Sequence, residues 1–405
     1  MFEAFREHDY RRFWTAQFIS NIGGWMQAVA QGWLVYRLTD SAFLLGFVGF
    51  AASAPSIFLM LPGGVLADQL DRRRVIAASQ WAQAASAMAL AISIHLDRIS
   101  VWQILAAALV VGIAQSFSAP AYQAMVLDLL DDRSRLPNAV AMNSLQFNLS
   151  RAIGPLLASI ALSAWGSFWC FFLNAISFLP LIFILGRVRK RQQAHEGPRE
   201  ILTQLREGLR YVRKDRLVMM LLGAAAAGSL FGYPYLSLMP VLARKLFTND
   251  AVGNGYLIGA IGAGALLAAL VLSMITPPKH HMLAIIITAV IAFGVCLTTV
   301  AYVQSVIPVM ALLVLCGAGM VASLALCNTM IQQRTPDSMR GRVMSMYTFS
   351  FFAFIPFGNL LSGMLAEQRG IAMALATLGC ALIVVGVLLA IAGHRMSLAT
   401  SSARR

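Results

Sequence analysis

Gly64-Val65-Leu66-Ala67-Asp68-Gln69-Leu70-Asp71-Arg72-Arg73-Arg74 is the stretch on which the fold turns. It sets an acid and three arginines into a short break between two long apolar runs, roughly 42–67 and 75–96. Arginines crowded into such a break are how a polytopic membrane protein marks its cytoplasmic side. That rule accounts for the arginines but not for the acid beside them. Outward from this point the chain repeats the pattern, with apolar runs near 13–36, 101–127, 138–165, 168–186, 217–243, 252–275, 282–303, 306–331, 343–366 and 370–393. A helix needs about 20 apolar residues to cross a bilayer, and these runs supply them. Composition agrees: of 405 residues, 59% are hydrophobic and 12% charged. Soluble domains carry about 25% charged residues, so a soluble enzyme is excluded. The net charge of +14 is no sign of nucleic-acid binding, because the basic residues lie in the breaks rather than on one folded surface.

Twelve runs divide six and six around the one long hydrophilic segment. The predicted organisation is an N-terminal six-helix bundle over 1–186, a cytoplasmic linker over 187–216 and a C-terminal six-helix bundle over 217–405. Within the linker, Ile201, Leu202, Leu205, Leu209 and Val212 recur at helical spacing and predict an amphipathic helix on the membrane surface. Of 31 Lys and Arg, 25 fall in one set of breaks. The opposite set holds Arg37, Arg98, Arg244, Lys245 and Arg369. This bias places both termini in the cytoplasm. The apolar run after Met1–Trp14 is full length, so no cleavable signal peptide is expected. The halves echo one another: Gly154-Pro155 is answered by Pro356 and Gly358, and Gly166 by Gly370. Such symmetry marks transporter folds, with the substrate held between the repeats.

Polar residues inside apolar runs mark the candidate cavity. Arg151 is the one charge deep within a run, and it is costly there unless it meets a partner or water. Asn143, Gln146, Ser150 and Arg151 share one helical arc, and so do Gln17, Asn21, Gln27 and Gln31 in the first run. Tyr233-Pro234-Tyr235 adds a kinked aromatic segment suited to a flat amphipathic cargo. These amides and rings equally fit plain helix packing. The five cysteines lie in apolar runs without metal-binding or redox spacing, and the six histidines lie near helix ends or in loops. No metal, cofactor or catalytic centre is expected. All 17 acids sit at helix ends or in loops, whereas proton relays usually place one in the bundle.

The stretch from Gly64 to Arg74 resembles the second-to-third-helix loop of the major facilitator superfamily, although Gln69 and Asp71 depart from its usual pattern. Arg11-Arg12-Phe13-Trp14, Gly23-Gly24-Trp25-Met26-Gln27, Trp33-Leu34-Val35-Tyr36-Arg37-Leu38-Thr39, Leu136-Pro137-Asn138-Ala139 and Arg340-Gly341-Arg342-Val343 are similar to its enterobactin-exporter-like and macrolide-efflux-like subgroup. Arg151-Ala152-Ile153-Gly154-Pro155 extends that likeness. The resemblance implies an all-α membrane protein of twelve helices in two pseudo-symmetric bundles. It implies alternating-access export of a drug-like or siderophore-like molecule across a bacterial cytoplasmic (inner) membrane, driven by protons. It further implies a gating set of Gly64, Asp68, Arg72, Arg73, Asp128, Gly154, Pro155, Arg340 and Arg342. In that set Arg72 pairs with Asp128, and Asp68 faces Arg340 to Arg342. The second copy of the motif reads Thr276-Pro277-Pro278-Lys279-His280-His281, without an acid, so no matching latch is expected there. The expected partners are a small-molecule substrate, protons and lipid, in a monomer that binds no nucleic acid. Two rivals remain: an uncoupled lysolipid or metabolite facilitator, and a membrane-embedded sensor or scaffold. An intramembrane enzyme is disfavoured for want of a buried His, Asp or Cys constellation.

Overall fold

A computed structural model describes residues 3–188, 201–275 and 277–402. Every regular element in these residues is helical. Among the described residues, ten helices are long and apolar enough to cross a membrane. The last of these, Met339–Met396, contains a non-helical residue at Gly370, with φ 80° and ψ 161°. Two apolar runs therefore meet there through a sharp corner. Helix α1 (His8–Thr39) is 32 residues long but is diluted by its amides, and it is not one of the ten.

The chain divides into two compact units, Met1–His195 with Ser237–Gly262, and Glu196–Leu236 with Ala263–Arg405. The segment Ser237–Gly262, assigned by the run pattern to the C-terminal bundle, is thus part of the first unit.

In the first unit, α1 is followed by α2 (Ala42–Ser53) and α3 (Pro55–Gln69), a single run divided at Pro55. Ser41 caps α2 by accepting from the Leu44 N–H. Asp71 caps α4 (Arg72–His95), accepting from the Arg73 N–H, so this motif acid starts a helix. Ser100 and Gln103 form a reciprocal capping box at α5 (Val101–Asp128). Helix α6 (Leu136–Ala164) leads through Gly166 into α7 (Ser167–Ser177) and α8 (Leu179–Arg187). Gly166 has φ 87° and ψ 175°, a backbone region open essentially only to glycine. Small residues bring these helices together. A Cβ added at Gly112 would lie 2.3 Å from the Ala52 carbonyl oxygen, and one at Gly154 2.5 Å from Trp25 Cβ. Without a hydrophobic drive between helices in lipid, such close approach is a main source of cohesion.

In the second unit, α9 (Ile201–Lys214) is the predicted amphipathic helix, and it does more than lie on a surface. Val212 is buried in the core, Glu207 pairs with Arg342, and Gly208 packs on Met346. Helix α10 (Arg216–Ala227) loosens into a π-turn over Gly228–Gly232 and a 3-10 turn over Tyr233–Leu238. Helix α11 (Met239–Leu246) and the start of α12 (Asp250–Met274) belong to the first unit. The second unit continues with the rest of α12, α13 (Lys279–Val300), α14 (Val306–Arg334) and α15 (Asp337–Ser402). Residues 189–200 of the linker and Thr276 lie outside the described residues.

Candidate functional site

The amides predicted to line a cavity are mostly committed to joining helices. Gln146 donates to the Trp14 carbonyl at 2.6 Å and accepts from the Tyr122 hydroxyl at 3.5 Å. Asn143 accepts from the Tyr10 hydroxyl at 3.0 Å. Gln27 accepts from Asn174 Nδ2 at 2.6 Å, deep between α1 and α7. Gln17 donates to Asn21 at 3.0 Å, yet its own Oε1 is buried without a partner. Gln31 is half-buried. The helical arcs read from sequence are real, but Asn143 and Gln27 commit their amide oxygens, and Gln146 both its polar atoms, to neighbouring helices. Asn174→Leu tests this for Gln27. Leaving its oxygen buried without a donor is expected to cost about 1–3 kcal/mol in thermal unfolding of the purified protein, and adding Gln27→Leu should recover most of it.

Arg151 behaves differently. Its residue is 3% exposed, and both Nε and Nη2 are buried without hydrogen-bond partners. The guanidinium carbon lies 5.7 Å from the Trp25 ring centroid, and Phe147 meets the same indole edge-on at 6.1 Å. One turn along α6, Pro155 has no N–H, so the Arg151 carbonyl loses its helical donor. At this spot a Cβ added at Gly262 would lie 2.6 Å from that carbonyl oxygen. Gly154 and Pro155 therefore mark where α1 and α12 both crowd onto α6.

At the arginine-rich end of the unit, Arg72 Nη1 donates to Asp128 Oδ2 at 2.8 Å. Arg73 grips both oxygens of Asp71 and donates to the Val188 carbonyl at 2.6 Å. Arg73 thus braces α4 against the end of α8. The Asp68 side chain lies outside the described residues, and with it the expected approach to Arg340. Gly64 makes no close helix contact among the described residues; its neighbour Gly63 does, an added Cβ there lying 2.5 Å from the Ser116 carbonyl oxygen. One helical step of 100° separates the two faces, which sequence spacing alone does not resolve. In the second unit Arg342 pairs with Glu207, while Arg340 is exposed. Tyr235 is fully buried against Phe293, centroids 5.5 Å apart, and acts as core; half-buried Tyr233 meets Phe351 edge-on at 6.1 Å. Around 277–281 the described side chains form no carboxylate–arginine cluster, and His280 and His281 sit ring to ring at 4.0 Å.

Sequence reasoning missed a cluster at the opposite end of the first unit. Trp33 Nε1 donates to Asp250 Oδ1 at 2.9 Å, and Arg244 Nη1 to Asp40 Oδ1 at 2.6 Å. Arg244 also lies over Tyr36, and Arg37 over Trp33. Below them Asn254 donates to the Val29 carbonyl at 3.2 Å. Asp40 holds a left-handed backbone, φ 50°, at the end of α1. The signals in the sequence were the loop acids Asp40 and Asp250, whose partners are more than 200 positions away. The side chains of the Arg244–Asp40 pair are 50% and 69% exposed, so Arg244→Ala should change thermal stability by only about 0–1 kcal/mol. Trp33→Ala, which removes a buried indole and the Asp250 donor together, is expected to cost several-fold more, about 3–5 kcal/mol, in the same measurement.

A family model described as "transmembrane secretion effector" matches residues 1–404. The chain belongs to that family, within the major facilitator superfamily. One similar relative is the staphyloferrin A transporter of Staphylococcus aureus, 25% identical over 92% of this chain and 93% of that one. The multidrug efflux pump Tap of Mycolicibacterium fortuitum is 26% identical over 92% of each. The enterobactin exporter EntS of Shigella flexneri is 29% identical over 94% of this chain and 90% of that one. The fold is that of solved transporters. The nucleoside transporter NupG aligns with a TM-score of 0.72 at 13% identity, over 95% of this chain and 99% of that one. A bacterial homologue of the human lysosomal transporter Spinster aligns with a TM-score of 0.69 at 16% identity, over 97% of this chain and 96% of that one.

Proposed function

We propose that this secretion-effector protein exports an amphipathic small molecule across a bacterial cytoplasmic membrane by alternating access. In this reading twelve helices work as two bundles, 1–186 and 217–405, joined by the 187–216 linker, with both termini in the cytoplasm. The protein works as a monomer and performs no chemistry on its cargo. The observation that carries the reading is the end-to-end family match, together with full-length relatives named for drug efflux and siderophore transport. The charge bias of the breaks supports the orientation. The arginine-rich end, with its Arg72–Asp128 bridge, and the Trp33–Asp250 and Arg244–Asp40 end then serve as the inner and outer closures.

Compound accumulation in cells with and without the protein tests the reading. Expression should lower accumulation of at least one amphipathic compound, and equal accumulation across a broad panel would overturn it. Export by proton exchange predicts that a protonophore abolishes the difference. A second reading, facilitation without proton coupling, draws on the acids of the described helices, which cluster at helix ends, as Asp9, Asp128 and Asp250 do. A difference that survives the protonophore favours that reading.

A further inference from the structure

The two unpartnered nitrogens of Arg151 are not an arbitrary pair. Nε and Nη2 lie on the same edge of the planar guanidinium, and their two N–H bonds point outward in parallel. That edge matches the two oxygens of a planar anion, which it takes through two parallel hydrogen bonds. Trp25 does not use it. A ring centroid 5.7 Å from the guanidinium carbon engages the group through cation–π attraction, which needs no N–H donor. Among the described residues no acid on the adjoining helices answers the charge either. Helix α6 contains no Asp or Glu between Leu136 and Ala164, the one acid in α1 is Asp9, in its first turn, and the one acid in α12 is Asp250, in its first turn and bonded to Trp33. The acceptor oxygens of the neighbouring amides are engaged, Asn143 Oδ1 by Tyr10 and Gln146 Oε1 by Tyr122. A buried, permanently charged group with one complete donor edge left over is built for something absent from the chain itself.

We propose that the Nε/Nη2 edge of Arg151 anchors a planar two-oxygen anion on the cargo, a carboxylate or a catecholate, with Trp25 and Phe147 as the apolar wall for the ring that carries it. The inference rests on the exporter reading and narrows its substrate class: preferred cargo is anionic and flat rather than cationic.

The test uses the full-length protein in detergent and needs no variant for its first arm. Salicylate, its neutral carboxamide salicylamide and inorganic phosphate are titrated at constant ionic strength, following tryptophan fluorescence and thermal unfolding. Salicylate is expected to bind about tenfold more tightly than salicylamide, the difference that one charge-assisted pair of bonds supplies. Phosphate, which is neither planar nor ring-bearing, should shift unfolding little. In the second arm Arg151→Gln should erase the preference for salicylate over salicylamide. Arg151→Lys, which keeps the charge and loses the fork, should restore only a small part of it. Trp25→Phe should keep the preference for the anion while reducing the fluorescence response. Equal binding of salicylate and salicylamide by the unaltered protein overturns the proposal, as does an intact preference in Arg151→Gln. Phosphate acting as strongly as salicylate overturns the planar-anion assignment. Compound accumulation in cells is scored separately. Export of cationic or neutral compounds by a protein without anion preference leaves the exporter reading standing and removes this one, whereas absence of all export removes the exporter reading itself.

Discussion

Gly264→Ala is expected to destabilise the protein by about 3 kcal/mol or more. A Cβ at Gly264 would lie 1.8 Å from the Val314 carbonyl oxygen, 2.7 Å from its carbonyl carbon and 3.0 Å from its Cα. These are backbone atoms of α14, so no side chain can rotate aside. The helices must separate at this seam, which forfeits dispersion contacts around the Gly264–Val314 crossing. Overpacking of a close-packed core typically costs about 1–3 kcal/mol, and a clash with backbone belongs at or above the upper end. Gly223→Ala in α10 is the internal control, because an added Cβ there meets no described atom within 4 Å. Alanine is the better helix former, so that control should hold or gain up to about 1 kcal/mol. Thermal unfolding of the two purified variants checks the contrast. Equal behaviour would show that the seam is loose.

The second large effect is expected at the Arg72–Asp128 bridge. The pair joins the start of α4 to the end of α5 at 2.8 Å, with side chains 25% and 11% exposed. Removing one partner of a buried pair costs about 3–5 kcal/mol, and the partial exposure here brings the figure toward the lower bound. Asp128→Ala and Arg72→Ala should each reduce transport at least about tenfold, and the exchange Arg72→Asp with Asp128→Arg should recover part of it. Transport in reconstituted vesicles reads the effect. If both single variants transport like the unaltered protein, the bridge is a structural tie and takes no part in closing the path. Arg73→Ala separates position from charge, since it removes a brace to Val188 and leaves the bridge intact.

The helices, their order and the marked loop were legible because lipid imposes a simple rule on composition and arginines follow sidedness. The Arg72–Asp128 pairing was reachable only through family likeness, as 56 positions separate the partners. Periodicity placed Gln146 and Asn143 on one arc of α6, but it could not show that Trp14 and Tyr10 of α1 would occupy their polar atoms. The same limit hid Asp250 and Arg244, which look like ordinary loop charges until Trp33 and Asp40 stand next to them. Arg151 was visible because one charge in an apolar run violates expectation by itself. Which of its nitrogens go unpartnered depends on a side-chain conformation that no spacing encodes.

Gly166 and Gly370 share one backbone state, φ 87° and ψ 175° against φ 80° and ψ 161°, and they stand 204 positions apart. Every other amino acid would strain there, because that region is essentially closed to residues with a Cβ. The chain thus reverses direction the same way at both corners while the segments around them, Trp165-Gly166-Ser167 and Arg369-Gly370-Ile371, otherwise differ. At the level of the backbone the two corners are interchangeable, so alanine at either one should strain the turn between its two helices to a similar degree.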